Sequence, residues 1–382
     1  MLHIVHVMPS FDTGGAQLVT VRLLNGLGPG RFRHSMVSLN GGHGSASLLD
    51  PALRVDLVDG RPFARRPRLP RLVAGLRRMR PDLLFTCNWG SMDWVLARLL
   101  LPGCPHIHAE HGFGPEEADR QLVRRVWARR LALAASCRVV VPSHTLERLA
   151  LEEWKLPAAR LLRIPNGVDG AALRGAAAGV EQPGDGLVRI AALAPLRREK
   201  RLDRLLRAFA GMKERGHCRL HLIGDGPERA ALERERDRLG LGDQVRFLGH
   251  SPTPARELAA CDVFALSSDT EQLPAALLEA MALGLPVAAV AVGDVAEVVA
   301  PANARLLVPR EDEAGLAGAL DRLVGDAGLR RALGAANRAR QEERFGLAAM
   351  VGDYRAAFEA CAARRHRTPA AFLSAGTHAD GV

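Results

Sequence analysis

Short apolar runs that end in glycine, proline or a polar turn alternate with helical stretches along nearly the whole chain, and they do so in two sets. In the first half such runs occupy residues 2–9, 33–39, 53–58, 83–86, 107–109, 138–141 and 162–164. In the second they occupy 187–193, 220–223, 245–249, 260–267, 287–292 and 305–308. Strands separated by helices specify parallel sheets, because parallel neighbours need a long crossover connection. Two such sets imply an α/β protein with two parallel sheets, and 382 residues suffice for two domains, each with its own core. Between the sets, GAALRGAAAGVEQPGDG has no periodicity and is rich in glycine and alanine, which reads as a linker. The expected division is residues 1–170, a linker at 171–186, residues 187–344, a last helix within 345–362 and a loose polar tail at 363–382.

The second set leads into residues 267–287, SSDTEQLPAALLEAMALGLPV. This reads as a strand end, an acidic loop, an alanine-rich helix, a glycine stop and a new strand. Pro274 suits the first turn of the helix, and Gly284 before Pro286 suits its end. Glu279 is the only charged residue from Gln272 to Gly293. Its helical face also carries Ala275, Ala276, Ala282 and Leu283, whereas Leu277 and Met281 lie opposite. Small residues around a carboxylate leave room for a ligand, and a carboxylate buried alone is costly. Glu271 lies in the loop eight residues upstream, and the first N–H groups of the helix, which suit a diphosphate, lie between the two. Two hydroxyl acceptors flanking a phosphate site is one reading. Glu279 on a solvent edge and Glu271 favouring the helix dipole is the other.

Several other turns sit where strand ends meet helix starts, the position where doubly wound sheets bind ligands. Gly14 and Gly15 follow the first strand, although no G-x-G-x-x-G fingerprint is present. His111 follows the strand at 107–109, and Pro165-Asn166-Gly167-Val168-Asp169 follows that at 162–164. Arg197, Arg198 and Lys200 lie between a strand end and a helix start, where cations can neutralise a diphosphate. Gly224 and Gly226 would let backbone approach a nucleotide, and each is equally compatible with a simple turn.

The net charge of +10 is uneven. Residues 1–170 hold 23 Lys and Arg against 14 Asp and Glu, and the remainder hold 29 against 28. Residues 61–80 carry eight arginines and no acid, and residues 121–133 place arginine pairs and Trp127 among apolar residues. Such stretches suit either an anionic bilayer or the solvated face of a packed helix. Nucleic acid is not expected as a partner, since a single tyrosine and no recognised motif offer no stacking platform. No apolar run reaches the roughly 18 residues of a membrane span, and the N-terminus reads as a strand rather than a signal peptide. Six scattered cysteines without metal-ligand spacing suit reduced thiols in a cytoplasm, and no metal site is expected.

The string SSDTEQLPAALLEAMALGLPV resembles the E-x7-E signature of retaining glycosyltransferases of family 4 (group 1) with the GT-B fold. Glu271, Pro274, Glu279, Ala280, Met281, Ala282, Gly284, Pro286 and Val287 fall on the pattern, while Gln272-Leu273 replace the commoner Gly-Phe. The resemblance extends to the glycine turn at Gly14-Gly15, to His111, to the IPNGVD string and to VRFLG at 245–249. It implies two Rossmann-like domains facing across a cleft, a nucleotide-diphospho-sugar donor, and transfer with retention, with no metal and no cofactor. It implies His111, Glu271 and Lys200 as catalytic groups. Gly14, Gly15, Arg197, Arg198, Lys200, Gly224, Gly226, Leu248, Glu271, Gln272, Leu273, Pro274 and Glu279 are the implied donor-binding residues. One departure is that Pro195 occupies the usual arginine position of an R-x4-K pair, with Arg197 or Arg198 as substitutes. The expected acceptor is a glycan or lipid-linked glycan, met at the inner face of a cytoplasmic membrane by the basic half. The alternatives are an epimerase or phosphorylase on the same fold, or a non-catalytic nucleotide-sugar or membrane-surface binding protein.

Overall fold

The computed structural model describes residues 1–12, 14–64, 68–101, 103–113, 115–117, 120–181, 184–251 and 254–363. Thr13, Arg65, Arg66, residues 182–183 of the linker and the tail from 364 onward lie outside these residues.

The first sheet contains β1 (Leu2–Met8), β2 (Phe32–Ser38), β3 (Val55–Asp59), β4 (Leu83–Cys87), β5 (His106–Ala109), β6 (Arg138–Val141) and β7 (Leu161–Arg163). The second contains β8 (Val188–Leu193), β9 (Cys218–Ile223), β10 (Val245–Gly249), β11 (Val263–Leu266), β12 (Val287–Val290) and β13 (Leu307–Val308). All pairings are parallel, in the orders β3-β2-β1-β4-β5-β6-β7 and β10-β9-β8-β11-β12-β13. In both, the chain moves outward from the first strand and then returns to its other side. The switch points therefore fall between β1 and β4 and between β8 and β11, and crevices for ligands open at their C-terminal ends.

Helices of the first unit are α1 (Gly15–Leu27), α2 (Arg61–Ala64), α3 (Arg68–Met79), α4 (Met92–Leu99), α5 (Val123–Leu133) and α6 (His144–Glu152). Next comes α7 (Gly170–Ala176), lying in the stretch read from sequence as linker. The Asp169 side chain caps it by accepting from Ala172 N–H, and Arg174 donates to Ala282 O at 3.1 Å. An N-cap followed by alanines makes a helix without hydrophobic periodicity, which is why the pattern missed it. The second unit holds α8 (Leu202–Ala210), α9 (Arg229–Arg238), α10 (Pro254–Ala259), α11 (Ala275–Ala282), α12 (Val295–Val298), α13 (Glu313–Gly325) and α14 (Ala327–Arg344). Helices α13 and α14 are separated at Asp326, whose carboxylate caps α14.

The last helix, α15 (Leu347–Ala362), packs on the first unit. Met350, Val351, Tyr354 and Phe358 are buried with Ile4, Val19, Phe32 and Phe85. The chain thus crosses between units twice, at 167–170 and at 345–347. The crossings are fastened by a bridge between Val168 and Gly346 and by Gln341, which donates to Val168 O and Phe345 O.

Candidate active site

The C-terminal ends of β8 and β11 bring the 194–204 and 267–274 segments together. Lys200 Nζ donates to Glu271 Oε1 at 2.6 Å, and Ser268 Oγ donates to the same oxygen at 2.7 Å. Both side chains are largely enclosed. The two segments are also stitched through their backbones: Ser267 Oγ donates to Lys200 O and Asp269 N–H to Glu199 O. Arg204, fully buried on α8, donates to Ser267 O and Asp269, and Arg201 adds a bond to Asp269. Arg201 has a φ of 46°, a left-handed conformation that its ion pairs with Asp203 and Asp269 hold in place. Sequence reasoning named Lys200 but neither Arg201 nor Arg204. An arginine inside an amphipathic helix gives no signal that it faces inward.

Beyond this loop, Pro274 caps α11, and the first intrahelical bonds run from Leu277 and Leu278 N–H to Pro274 O. The N–H groups of Ala275 and Ala276 are therefore the free donors at this end. Glu279 is buried one turn later, 4% exposed. Its partner within the chain is Arg22, from α1 of the other unit, which forms an ion pair with Oε1. Gly293 supports the Glu271 loop from behind. With φ at +53°, a Cβ there would stand 1.9 Å from Glu271 O, a clash no side chain avoids. Neither Arg22 nor Gly293 was singled out from the sequence.

Three further contacts join this segment to the first unit. Ser143 Oγ donates to Gln272 Oε1 at 3.1 Å, and Asn166 Nδ2 donates to Leu273 O at 2.9 Å. Asp294 accepts from His144 N–H, Thr145 N–H and Thr145 Oγ at 2.5, 3.0 and 2.7 Å. A carboxylate of one unit thus sits on the N-terminus of α6 in the other, where amides and dipole favour negative charge. The Gln272-Leu273 pair read as a departure is used here for contact across the cleft, through a side-chain amide and a backbone carbonyl.

His111 stands at the end of β5, its N–H held by Asn88 Oδ1 at 2.8 Å. Its Nδ1 is buried without a partner among the described residues, and burial pushes its pKa down to about 4, so the ring is neutral near pH 7. A Cβ added at the following Gly112, whose φ is 145°, would stand 3.3 Å from Gln272 Cγ, which places the His111 turn beside the Glu271 loop. Gly14 is the extended N-cap of α1 and Gly15 its first residue, at the switch point of the first sheet. Arg197 and Arg198 are exposed and make no ion pair among the described residues. Leu248, 42% exposed, lies near the end of β10 beside Phe247, over which Arg229 and Arg236 stack.

For Gly224 and Gly226 the structure supplies a reason other than the one read from sequence. Their φ values are +136° and +159°, and added Cβ atoms would stand 2.0 Å from Ala194 O and 2.6 Å from Leu196 O. What approaches these glycines is the chain's own 194–196 segment. They set the shape of the loop that leads to Lys200.

Residues 182–340 match the family model Glycosyl transferases group 1, and residues 13–171 match Glycosyltransferase Family 4. The chain belongs to the family 4, group 1 glycosyltransferases. Among curated relatives of this family, lipopolysaccharide core biosynthesis glycosyltransferase LpsD of Rhizobium meliloti is 35% identical over 42% of the chain and 48% of that protein. N-acetyl-alpha-D-glucosaminyl L-malate synthase of Bacillus anthracis is 32% identical over 42% of each. A D-inositol 3-phosphate glycosyltransferase of Frankia alni is 28% identical over 73% of the chain and 78% of its own length. The chain spans less than half the length of the first two. Anabaena HepE, solved in complex with UDP, has a TM-score of 0.77 at 20% identity, with 94% of the chain and 100% of HepE covered. Sucrose-phosphate synthase of Thermosynechococcus elongatus gives 0.78 at 24%, with the same coverage. Both share the GT-B fold of two Rossmann-like domains.

The basic stretches of this glycosyltransferase divide on folding. Arg129 of α5 is fully buried against Glu110 and Glu117, among Trp89, Phe113 and Trp154, and Arg125 turns towards Glu116 and Glu117. What remains outside is a stripe of Val123, Trp127 and Leu131, 61, 53 and 70% exposed, beside Arg124 and Arg130. No described helix is long and apolar enough to cross a membrane.

Proposed function

We propose that this chain moves a sugar from a nucleoside-diphospho-sugar to a glycan or lipid-linked acceptor, with retention of anomeric configuration. The observation that carries the reading is the convergence of Lys200, Glu271 and the start of α11 at one switch point, with Glu279 a turn beyond. Lys200, with Arg197 or Arg198 in place of the arginine absent at Pro195, neutralises the leaving diphosphate beside the Ala275 and Ala276 amides. Glu271 accepts from donor-sugar hydroxyls and Glu279 from the ribose. The neutral His111 ring, with an unpartnered nitrogen, hydrogen-bonds the sugar or the acceptor. Gly14 and Gly15 border the transferred group, Leu248 lies beside the base, and Gln272, Leu273 and Pro274 shape the donor pocket. Charge on the leaving group is met by cationic side chains and amides, so no divalent cation is required, and chelation leaves turnover unchanged. The acceptor half meets an anionic membrane surface on the cytoplasmic side through the Val123–Trp127–Leu131 stripe and its arginines.

A panel of UDP-, GDP- and ADP-sugars tests this reading. The matching donor raises the melting temperature, equivalent to about 2.7 kcal/mol at a hundredfold excess over its Kd. With a glycan acceptor it yields nucleoside diphosphate and an elongated product of the same anomeric configuration. Stabilisation without turnover contradicts the catalytic part, and conversion of the donor sugar without any acceptor identifies an epimerase.

A further inference from the structure

We infer that Arg22 is a positioning residue of the donor site, contributed by the opposite domain. It fixes one oxygen of Glu279 so that the other is presented to the ribose hydroxyls. The inference rests on the reading that Glu279 receives the ribose.

Glu279 is almost fully buried on an otherwise uncharged helix, and its cationic partner is 257 residues away in sequence, on α1. Arg22 ties up Oε1 alone. Oε2 accepts nothing from the described residues and is not among the sealed, unpartnered atoms. One oxygen is thus anchored while the other keeps its accepting capacity unused, as an acceptor for a ligand hydroxyl must. Arg22 itself has donors to spare, since its Nη1 is buried without a partner among the described residues. A buried carboxylate is costly alone and is held in one rotamer by a charge-assisted bond. The pair therefore orients the acceptor before the donor arrives. Because the arginine comes from the first domain and the carboxylate from the second, the ribose subsite is complete only when the two are apposed. Binding of the donor and apposition of the domains are linked through this one ion pair, and each favours the other.

Calorimetry tests this with UDP, GDP and ADP, each paired with its 2′,3′-dideoxy form, on Arg22→Met, Arg22→Lys and Glu279→Gln. For whichever diphosphate the natural chain binds, Arg22→Met weakens the ribo form about tenfold and leaves the dideoxy form unchanged. Arg22→Lys keeps part of the preference for ribose, and Arg22→Gln replaces the Met variant should that one fail to fold. Glu279→Gln erases the preference, and adding Arg22→Met to it changes nothing more. Equal weakening of both forms by Arg22→Met, or weakening of neither, overturns the role of Arg22. Under that outcome the reading of Glu279 survives if Glu279→Gln still erases the ribose preference. A Glu279→Gln chain that keeps the preference overturns both, as does a natural chain that binds none of the three diphosphates.

Discussion

At the residue scale, the proposed chemistry is concentrated on Lys200 and Glu271, whose 2.6 Å pair lies at the mouth of the second sheet. A lysine held by a carboxylate is oriented but not consumed. When a diphosphate arrives, its ammonium has further donors to offer, since Lys carries three. Lys200→Met therefore lowers kcat by about 10²-fold or more, the usual loss for one donor to developing negative charge. Steady-state kinetics with the matching donor measures this. The spacing of Glu271 and Glu279 was legible because a single helix start separates them. Their partners were not, because Arg22 and Lys200 reach them from 257 and 71 residues away, and no local pattern encodes such a meeting.

At the element scale, loops at strand ends owe their shape to glycines packed against backbone. Gly293→Ala puts a Cβ into Glu271 O, so the loop must move. The expected outcome is loss of turnover and of donor-induced stabilisation, while the far-ultraviolet circular dichroism of the folded chain is retained. On α5, the stripe of Val123, Trp127 and Leu131 covers no core, so changing all three to serine leaves the melting temperature within about 1 °C, as surface substitutions do. The same change abolishes sedimentation with phosphatidylglycerol vesicles, and unaltered sedimentation contradicts the membrane reading. The strands were readable because buried parallel strands are continuous apolar runs. Helices α4 and α6 were not separated out, since each is a short element of eight or nine residues between loops. The two-sided reading of the basic stretches resolved in neither direction alone: Arg125 and Arg129 turn inward and Trp127 outward on the same helix.

At the scale of the whole molecule, the two domains meet through the segment proposed to hold the donor. Asp294 on the start of α6, Ser143 on Gln272 and Asn166 on Leu273 all join across the cleft. Asp294→Ala removes three hydrogen bonds at once and leaves the first two amides of α6, those of His144 and Thr145, without this partner. Small-angle scattering should then show a larger radius of gyration for the donor-free chain, and an unchanged profile contradicts the latch. The first domain also carries a buried pair of histidines, His6 and His34, their rings 2.9 Å apart at the nearest nitrogens beneath Phe358. Burial pushes His34 down to about 4 and also lowers His6 well below its ordinary value, against about 6.5 unfolded. The unfolded chain therefore takes up protons first as pH falls. Stability is complete above about pH 6.5 and declines towards pH 4, by about 3 kcal/mol for His34 alone. Urea midpoints at pH 7 and 4.5 measure the decline, which His34→Gln reduces. The two-domain layout was legible from alternation alone, but the interlocking of the domains was not, because every latch joins residues more than a hundred positions apart.

The central proposal is a donor held between Glu271 and Glu279, the two carboxylates of one loop and helix. Its most direct test is a crystal structure with a bound, non-hydrolysable nucleoside-diphospho-sugar. The prediction is a hydrogen bond from the ribose to Glu279, hexose hydroxyls on Glu271, and the diphosphate on Lys200 and the first amides of α11. A donor lodged elsewhere, with both carboxylates still occupied only by Arg22 and Lys200, would contradict it.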